Sequence, residues 1–258
     1  MRAALLALAG LLLAPPASAA DLRVMISAGF FRAYSALVPA FEAASGHRVT
    51  TVRGPSMGDS PEAIPARLAR GEPADVVIMD GASADRLAQQ GGLLAEGKTR
   101  LARSQIGMVV RAGAAGPDIG SVAAFTRALL KAKSIAYSDS GSGTYLSTEL
   151  FGRLGIAEQI AGKSRKVRGP PSGEPVAAVV ARGEAEIGFQ QVSELIHAPG
   201  ITYVGPIPAE LQQEFFFAAA VAAGTAQPAA ARELIRFLSS PAAAPAIAEA
   251  GLLPLSGP

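Results

Sequence analysis

The sequence predicts an α/β protein of two lobes, each an open β-sheet flanked by helices. Short β-prone runs alternate with amphipathic helical segments, an arrangement typical of open α/β sheets. The tetrapeptide Ala-Arg-Gly-Glu also occurs twice, at 69–72 and 181–184, each time between a predicted helix and a buried strand. Because glycine favours the left-handed end of a helix, this repeat indicates two similar units, or else only common capping chemistry.

The first half of the chain alternates strands and helices. The predicted order is a strand at 22–26, a helix ending at 45–46, a strand at 49–52, a Gly/Pro/Ser-rich loop at 53–61, a helix at 62–69 and a strand at 74–79. Residues 76–79 of the last strand form a continuous apolar run, which is typical of a buried parallel sheet.

The second half repeats this alternation. The predicted order is strands at 106–111 and 134–137, a loop at 138–144, a helix at 145–154, strands near 187 and at 215–222, and helices at 229–238 and 241–250. If the chain crosses near 104 and returns along 216–221, two strands form the hinge. We therefore expect lobe 1 at 21–103 plus 218–258 and lobe 2 at 104–217, closing on a ligand held between them.

Residues 1–20 have the pattern of a signal peptide. Arg2 is followed by an apolar run at 5–14 and by the small residues of 17–19. The run is too short to span a bilayer, and the chain has no cysteine to carry a lipid. We expect a periplasmic protein, cleaved near Ala19 or Ala20.

Composition excludes several functions. Half of the residues are apolar, which predicts a packed core, and the net charge of +2 is spread along the chain, which argues against a nucleic-acid partner. The two histidines are far apart and there is no cysteine, so neither a metal nor a cofactor is expected. His47 is expected on a surface turn. The Gly-x-Ser-x-Gly match at 54–58 lacks the strand–Ser–helix context of a hydrolase.

The order of these segments resembles that of type II periplasmic solute-binding proteins, above all the molybdate-binding component of ABC transporters. The resemblance rests on Ala-Arg-Gly-Glu-Pro-Ala-Asp-Val at 69–76, Ser-Asp-Ser-Gly-Ser-Gly-Thr at 138–144 and Ser-Ser-Pro-Ala-Ala at 239–243. It implies a monomer that captures a small anion between its lobes and delivers it to an ABC permease in the inner membrane.

Two positions depart from the molybdate-binding pattern. Gly29 and Gln191 stand where the resemblance implies a serine and a tyrosine hydroxyl. The segments at 190–195 and 199–208 also resemble a branch that includes periplasmic aconitate isomerase, which converts trans-aconitate to cis-aconitate. The sequence therefore predicts a solute-binding protein that captures a small anion, either an organic carboxylate or a molybdate-like oxyanion, with aconitate isomerisation as the alternative. We expect a di- or tricarboxylate to bind more tightly than molybdate.

Candidate ligand-binding residues lie in loops after predicted strands, where open α/β sheets bind ligands. Hydroxyls, amides and the N–H groups of a helix start suit an anion, and an arginine suits a carboxylate. The candidates are Ser27, Gly29, Arg53, Ser56, Ser138, Ser142, Gly143, Thr144, Gly173, Gln190 and Gln191. Arg168 is a second possible arginine, and Glu174 is a possible base for an isomerase.

Overall fold

The computed structural model describes residues 19–255. The predicted signal peptide lies outside this range, apart from its last two residues. The strands are β1 Asp21–Ile26, β2 Arg48–Arg53, β3 Val76–Asp80, β4 Leu93–Ser104, β5 Ile106–Arg111, β6 Ile135–Ser138, β7 Ser164–Val167, β8 Ile187–Gln191, β9 Ile201–Pro206, β10 Phe215–Ala222 and β11 Leu253–Pro254.

Helices cover the faces of the strands. They are α1 Ala28–Ser45, α2 Ile64–Ala69, α3 Gly81–Gln89, α4 Val122–Lys131, α5 Gly141–Tyr145, α6 Phe151–Arg153, α7 Ala157–Ala161, α8 Val176–Ala181, α9 Val192–Leu195, α10 Pro228–Leu238 and α11 Ala244–Glu249. A π-helical turn, Leu146–Leu150, joins α5 to α6, and 3-10 turns lie at Ala209–Leu211 and Pro241–Ala243.

The strands form two separate sheets, as the predicted fold class requires. The first has the order β11-β4-β10-β3-β1-β2, with β1 parallel to β2 and β3 and with β10 antiparallel to β3 and β4. The second has the order β7-β6-β8-β5-β9, in which β6 is parallel to β7 and β8. Apolar residues of the first sheet and its helices form one hydrophobic core, and those of the second sheet and its helices form another. Each half of the molecule therefore buries apolar surface of its own.

Two connections join the sheets. β4 ends in the first sheet at Ser104, and β5 begins in the second at Ile106. The chain returns before β10, whose first residue Phe215 pairs with Ser104. The first sheet thus includes 215–217, while the division into lobes at 103/104 and 217/218 stays a prediction.

The structure corrects two local expectations. The helix predicted at 145–154 begins at Gly141, inside the predicted loop, because Gly143 lacks the Cβ that would overlap the Ser138 carbonyl and so lets the helix start against β6. His47 is buried, not on the surface. Its Nδ1 accepts the N–H of Ala20 at 3.0 Å, and its Nε2 lies 3.3 Å from a carboxylate oxygen of Glu233.

Candidate functional site

A cavity of about 160 Å³ lies between the two sheets. Its wall includes the residues that end or follow β1, β2 and β3 of the first sheet and β6 and β8 of the second. A buried water needs roughly 10–15 Å³, so the cavity has room for on the order of ten water-sized groups. Ligands of open α/β sheets bind at the carboxyl ends of strands, which makes this cavity the candidate site.

Ser27 carries a hydroxyl that is poised to bind a ligand. It follows β1, lines the cavity and is only 6% exposed. Its backbone N–H donates to the Ile78 carbonyl at 2.9 Å, whereas its Oγ has no hydrogen-bond partner among residues 19–255. A buried polar atom without a partner costs about 1–3 kcal/mol, which a ligand oxygen at this position would relieve.

The start of helix α1 faces the same space. Ala28 and Gly29 line the cavity, and this 18-residue helix has no acidic residue in its first turn. Free N–H groups at a helix start favour a negatively charged ligand. A Cβ on Gly29 would overlap Phe217 Cζ and Gln191 Oε1, so the site leaves no room for a larger side chain there.

Arg53 supplies the positive charge in the cavity wall. It ends β2, and its guanidinium carbon lies 4.2 Å from the centroid of the Phe31 ring. This cation–π contact holds the planar group in place, and the guanidinium can pair with a carboxylate through two hydrogen bonds. Ser56 also lines the cavity, and its Oγ accepts the N–H of Asp80 at 3.0 Å.

Three serine hydroxyls meet at the end of β6. The Oγ atoms of Ser138 and Ser140 lie 2.7 Å apart, and that of Ser142 lies 3.2 Å and 3.1 Å from them. Ser138 and Ser140 reach the cavity, whereas Ser142 is fully buried behind them. The cluster therefore offers the cavity a fixed pair of hydroxyl groups.

Strand β8 brings two amides and a carboxylate to the opposite wall. Gln190 and Gln191 end the strand, and Glu194 lies one helical turn further on, all three lining the cavity. Gln190 Nε2 donates to Glu194 Oε2 at 2.6 Å. Burial is the main cause that raises the pKa of Glu194 to about 7, with Asp139 adding to the rise and Arg53 and the Gln190 bond opposing it.

Four predicted residues do not line the cavity. Ser142 supports the serine cluster, and Gly143 is required because a side chain would overlap the Ser138 carbonyl. The backbone N–H of Thr144 donates to the Ser140 carbonyl at 2.9 Å, as part of the first turn of α5. Gly173 packs against the Arg168 carbonyl in the same way, so its role is in the shape of the 169–173 loop.

The two further candidates also lie elsewhere. The side chain of Glu174 is 41% exposed, and both of its oxygens accept hydrogen bonds from Arg182, at 2.7 and 2.8 Å. That pairing lowers the pKa of Glu174, so this carboxylate is a poor base at neutral pH. Arg168 is absent from the wall and donates to Ser172 Oγ at 3.1 Å.

Sequence reasoning missed three acidic residues of the wall. Asp80 caps α3 by accepting the N–H of Ser83 at 2.9 Å, and Asp139 accepts the N–H of Gly169 at 3.1 Å. The third, Glu194, has a neutral amide as its partner. Position after a strand could have suggested the first two. Within residues 19–255, no group of three His, Asp or Glu side chains is placed to hold a metal ion.

Fold and site together place one cavity, with polar side chains in its wall, between two α/β halves. The chain belongs to the bacterial extracellular solute-binding proteins, whose family model matches residues 22–253. This confirms the predicted family. It also explains the arrangement of two sheets around one cavity.

Individual relatives extend the comparison. The chain is 45% identical to a protein named aconitate isomerase from a Pseudomonas species, over 98% of this chain and 94% of the relative. It is 27% identical to the molybdate-binding protein ModA of Azotobacter vinelandii, over 71% of this chain and 69% of that protein.

Solved structures share the fold. The periplasmic molybdate-binding protein of Azotobacter vinelandii superimposes with a TM-score of 0.71 at 23% identity, over 92% of this chain and all of that chain. The sulfate-binding protein SubI of Mycobacterium tuberculosis gives 0.71 at 20% identity, over 92% of this chain and 88% of that chain. These similarities confirm the predicted two-sheet α/β architecture.

Proposed function

We propose that the protein is an exported isomerase that binds a small tricarboxylate in the cavity and shifts its carbon–carbon double bond, as in the conversion of trans- to cis-aconitate. The observation that carries the proposal is the 45% identity to an aconitate isomerase over nearly the full length of both chains. A protein that only binds solutes needs no proton-transfer group. The wall of this cavity contains such a group, the Glu194 carboxylate, which accepts a hydrogen bond from the Gln190 amide.

The wall supports a ligand with several carboxylates. Arg53 offers a bidentate partner, Ser27 an unpaired hydroxyl, and the start of α1 free N–H groups. Asp80 and Asp139 are each held by a backbone N–H, which offsets part of their negative charge. The cavity volume is also of the order that a small tricarboxylate occupies.

The departures at Gly29 and Gln191 favour carboxylates over molybdate. Two missing hydroxyl donors to a buried dianion would cost about 1.5–3 kcal/mol each. Together they would lower affinity by roughly two to four orders of magnitude. An amide at 191 instead offers both a donor and an acceptor to an organic ligand.

We also propose a periplasmic location, with the signal peptide cleaved after Ala19. Ala20 is buried in the hydrophobic core of the first sheet, and its carbonyl accepts the N–H of Arg48 at 2.9 Å. Cleavage after Ala20 would remove that bond and the N–H that His47 accepts. Sequencing the N-terminus of the periplasmic form should give Ala20, whereas a retained Met1 would contradict export.

A second candidate function is capture of an anion for an ABC permease. It is favoured by membership of the solute-binding family and by the cavity between the two sheets. In that case the protein would bind a carboxylate or an oxyanion and release it unchanged.

Calorimetric titration of the purified protein with molybdate, citrate and both aconitate isomers separates the two functions. Chromatography of the solution recovered from the calorimeter then shows whether trans-aconitate was converted. We expect carboxylate binding with conversion. Binding without conversion supports capture for transport, and nanomolar molybdate binding with no response to carboxylates contradicts the proposal.

A further inference from the structure

We infer that Glu194 is the catalytic base of this cavity and that Gln190 is its positioning residue. The inference rests on the proposed isomerase function and adds the group that moves the proton. Glu194 would take a proton from the methylene carbon of the bound tricarboxylate and return it to the other end of the allylic system.

Placement is the first argument. Glu194 lies in the first turn after β8, on the wall that also carries Gln190 and Gln191, and faces the same cavity as Arg53. A ligand whose carboxylate pairs with Arg53 is therefore held in the chamber that Glu194 lines. A base must lie within hydrogen-bond reach of the proton it removes, and shared enclosure is what makes that reach possible.

The hydrogen bonds of Gln190 are the second argument. Its Oε1 accepts the N–H of Val176 at 3.4 Å, which directs its NH₂ group toward Glu194. That group then donates to Glu194 Oε2 at 2.6 Å. One carboxylate oxygen is thus held by a buried amide, and we assign proton transfer to the other, Oε1.

The charged groups around Glu194 are the third argument. Arg53 faces it from β2, Asp139 from the end of β6, and Asp80 lines the same cavity at the end of β3. Burial outweighs the guanidinium and raises the pKa of Glu194 to about 7. A carboxylate with such a pKa can both accept a proton and give it back near neutral pH.

Each proton transfer balances without an oxidant or a metal. The ionised Glu194 forms an O–H bond as the methylene C–H bond breaks, and the released electron pair spreads over the allylic carbons and the adjacent carboxylate. The Arg53 guanidinium can stabilise that growing negative charge. The O–H bond then breaks as a new C–H bond forms at the former vinyl carbon, and the double bond lies one position further along.

Variants of three residues test the assignment. Glu194→Gln keeps the shape and the contact with Gln190 but cannot accept the proton, so kcat for trans-aconitate should fall at least about 100-fold. Thermal stabilisation by trans-aconitate should persist, because the binding groups are intact. Glu174→Gln, which removes the exposed carboxylate, should keep wild-type turnover. In wild type, kcat/KM should rise with pH as Glu194 ionises. Gln190→Leu should shift this rise to higher pH, because the pKa of Glu194 loses a hydrogen bond that lowers it.

The outcomes are distinct. If wild-type protein isomerises trans-aconitate and Glu194→Gln turns over within about tenfold of it, Glu194 is not the base and only this inference fails. If wild-type protein shows no isomerisation, the proposed function itself fails. Glu194→Asp provides a second test, since a shortened base should retain partial activity and the same ligand-induced stabilisation. A pH profile of Gln190→Leu that matches wild type would remove Gln190 from the assignment.

Discussion

Glu194→Gln should also change how the stability of the ligand-free protein depends on pH. Burial raises the pKa of Glu194 from 4.5 to about 7, so the folded state binds a proton more tightly than the unfolded chain does. The tighter binding of this proton contributes its full stabilisation of the folded state below pH 4.5, and the contribution is lost as the pH rises through 7. The glutamine variant cannot ionise and therefore lacks this loss.

The size of the effect follows from the pKa change. One pKa unit corresponds to about 1.4 kcal/mol, so ionising Glu194 in the folded state costs roughly 3 kcal/mol. Relative to wild type, the free energy of unfolding of Glu194→Gln should therefore rise by roughly 2–3 kcal/mol between pH 5 and pH 8. For a chain of this length, that corresponds to a relative gain in Tm of roughly 5–10 °C.

Urea unfolding of both proteins at a series of pH values measures this difference. The matched control is Glu174→Gln, which removes an exposed carboxylate whose pKa is lowered by Arg182 and so should show no gain toward high pH. Parallel stability profiles for wild type and Glu194→Gln would refute the conclusion that folding raises the pKa of this carboxyl.

Three further substitutions test the cavity. Gly29→Ser should destabilise the fold by about 1–3 kcal/mol and abolish ligand-induced stabilisation in thermal unfolding, because its Cβ overlaps the cavity wall; Gly152→Ser, at an open helical position, should do neither. Arg53→Lys should weaken aconitate binding in calorimetry roughly tenfold to a hundredfold through loss of bidentate pairing, whereas Arg100→Lys, also stacked on a phenylalanine, should leave it unchanged. Ser27→Ala should leave the ligand-free Tm equal or higher, since it removes an unpaired buried hydroxyl, yet weaken binding; a lower Tm with unaltered affinity would contradict this.

Much of the fold was predictable because its signals are local. The buried strand β3 begins with a continuous apolar run of four residues, and α1 combines helical spacing with a glycine end at Gly46, where φ is +74°. Open α/β sheets bind ligands at the carboxyl ends of their strands. This rule was enough to predict Ser27, Arg53 and Gln190 as site residues, and all three line the cavity.

The features that were missed depend on contacts between distant parts of the chain. Glu194 stands in a polar-looking Ser-Glu-Leu segment, and its partial burial arises only where the end of β8 faces residues of the first sheet. His47 follows a helix-ending glycine and would be exposed in isolation, but Ala20 and Glu233 enclose it. The early start of α5 depends on how closely Gly143 approaches Ser138, which composition alone does not reveal.

The most direct test of the account is proton NMR of trans-aconitate incubated with a catalytic amount of the purified protein. The vinyl resonances of the two isomers differ, so conversion can be followed without a coupling enzyme. We expect the cis-aconitate signal to grow with wild-type protein and with Glu174→Gln, and to grow at least about 100-fold more slowly with Glu194→Gln. An unchanged trans-aconitate spectrum with wild-type protein would contradict the central claim that this solute-binding fold carries an isomerase site.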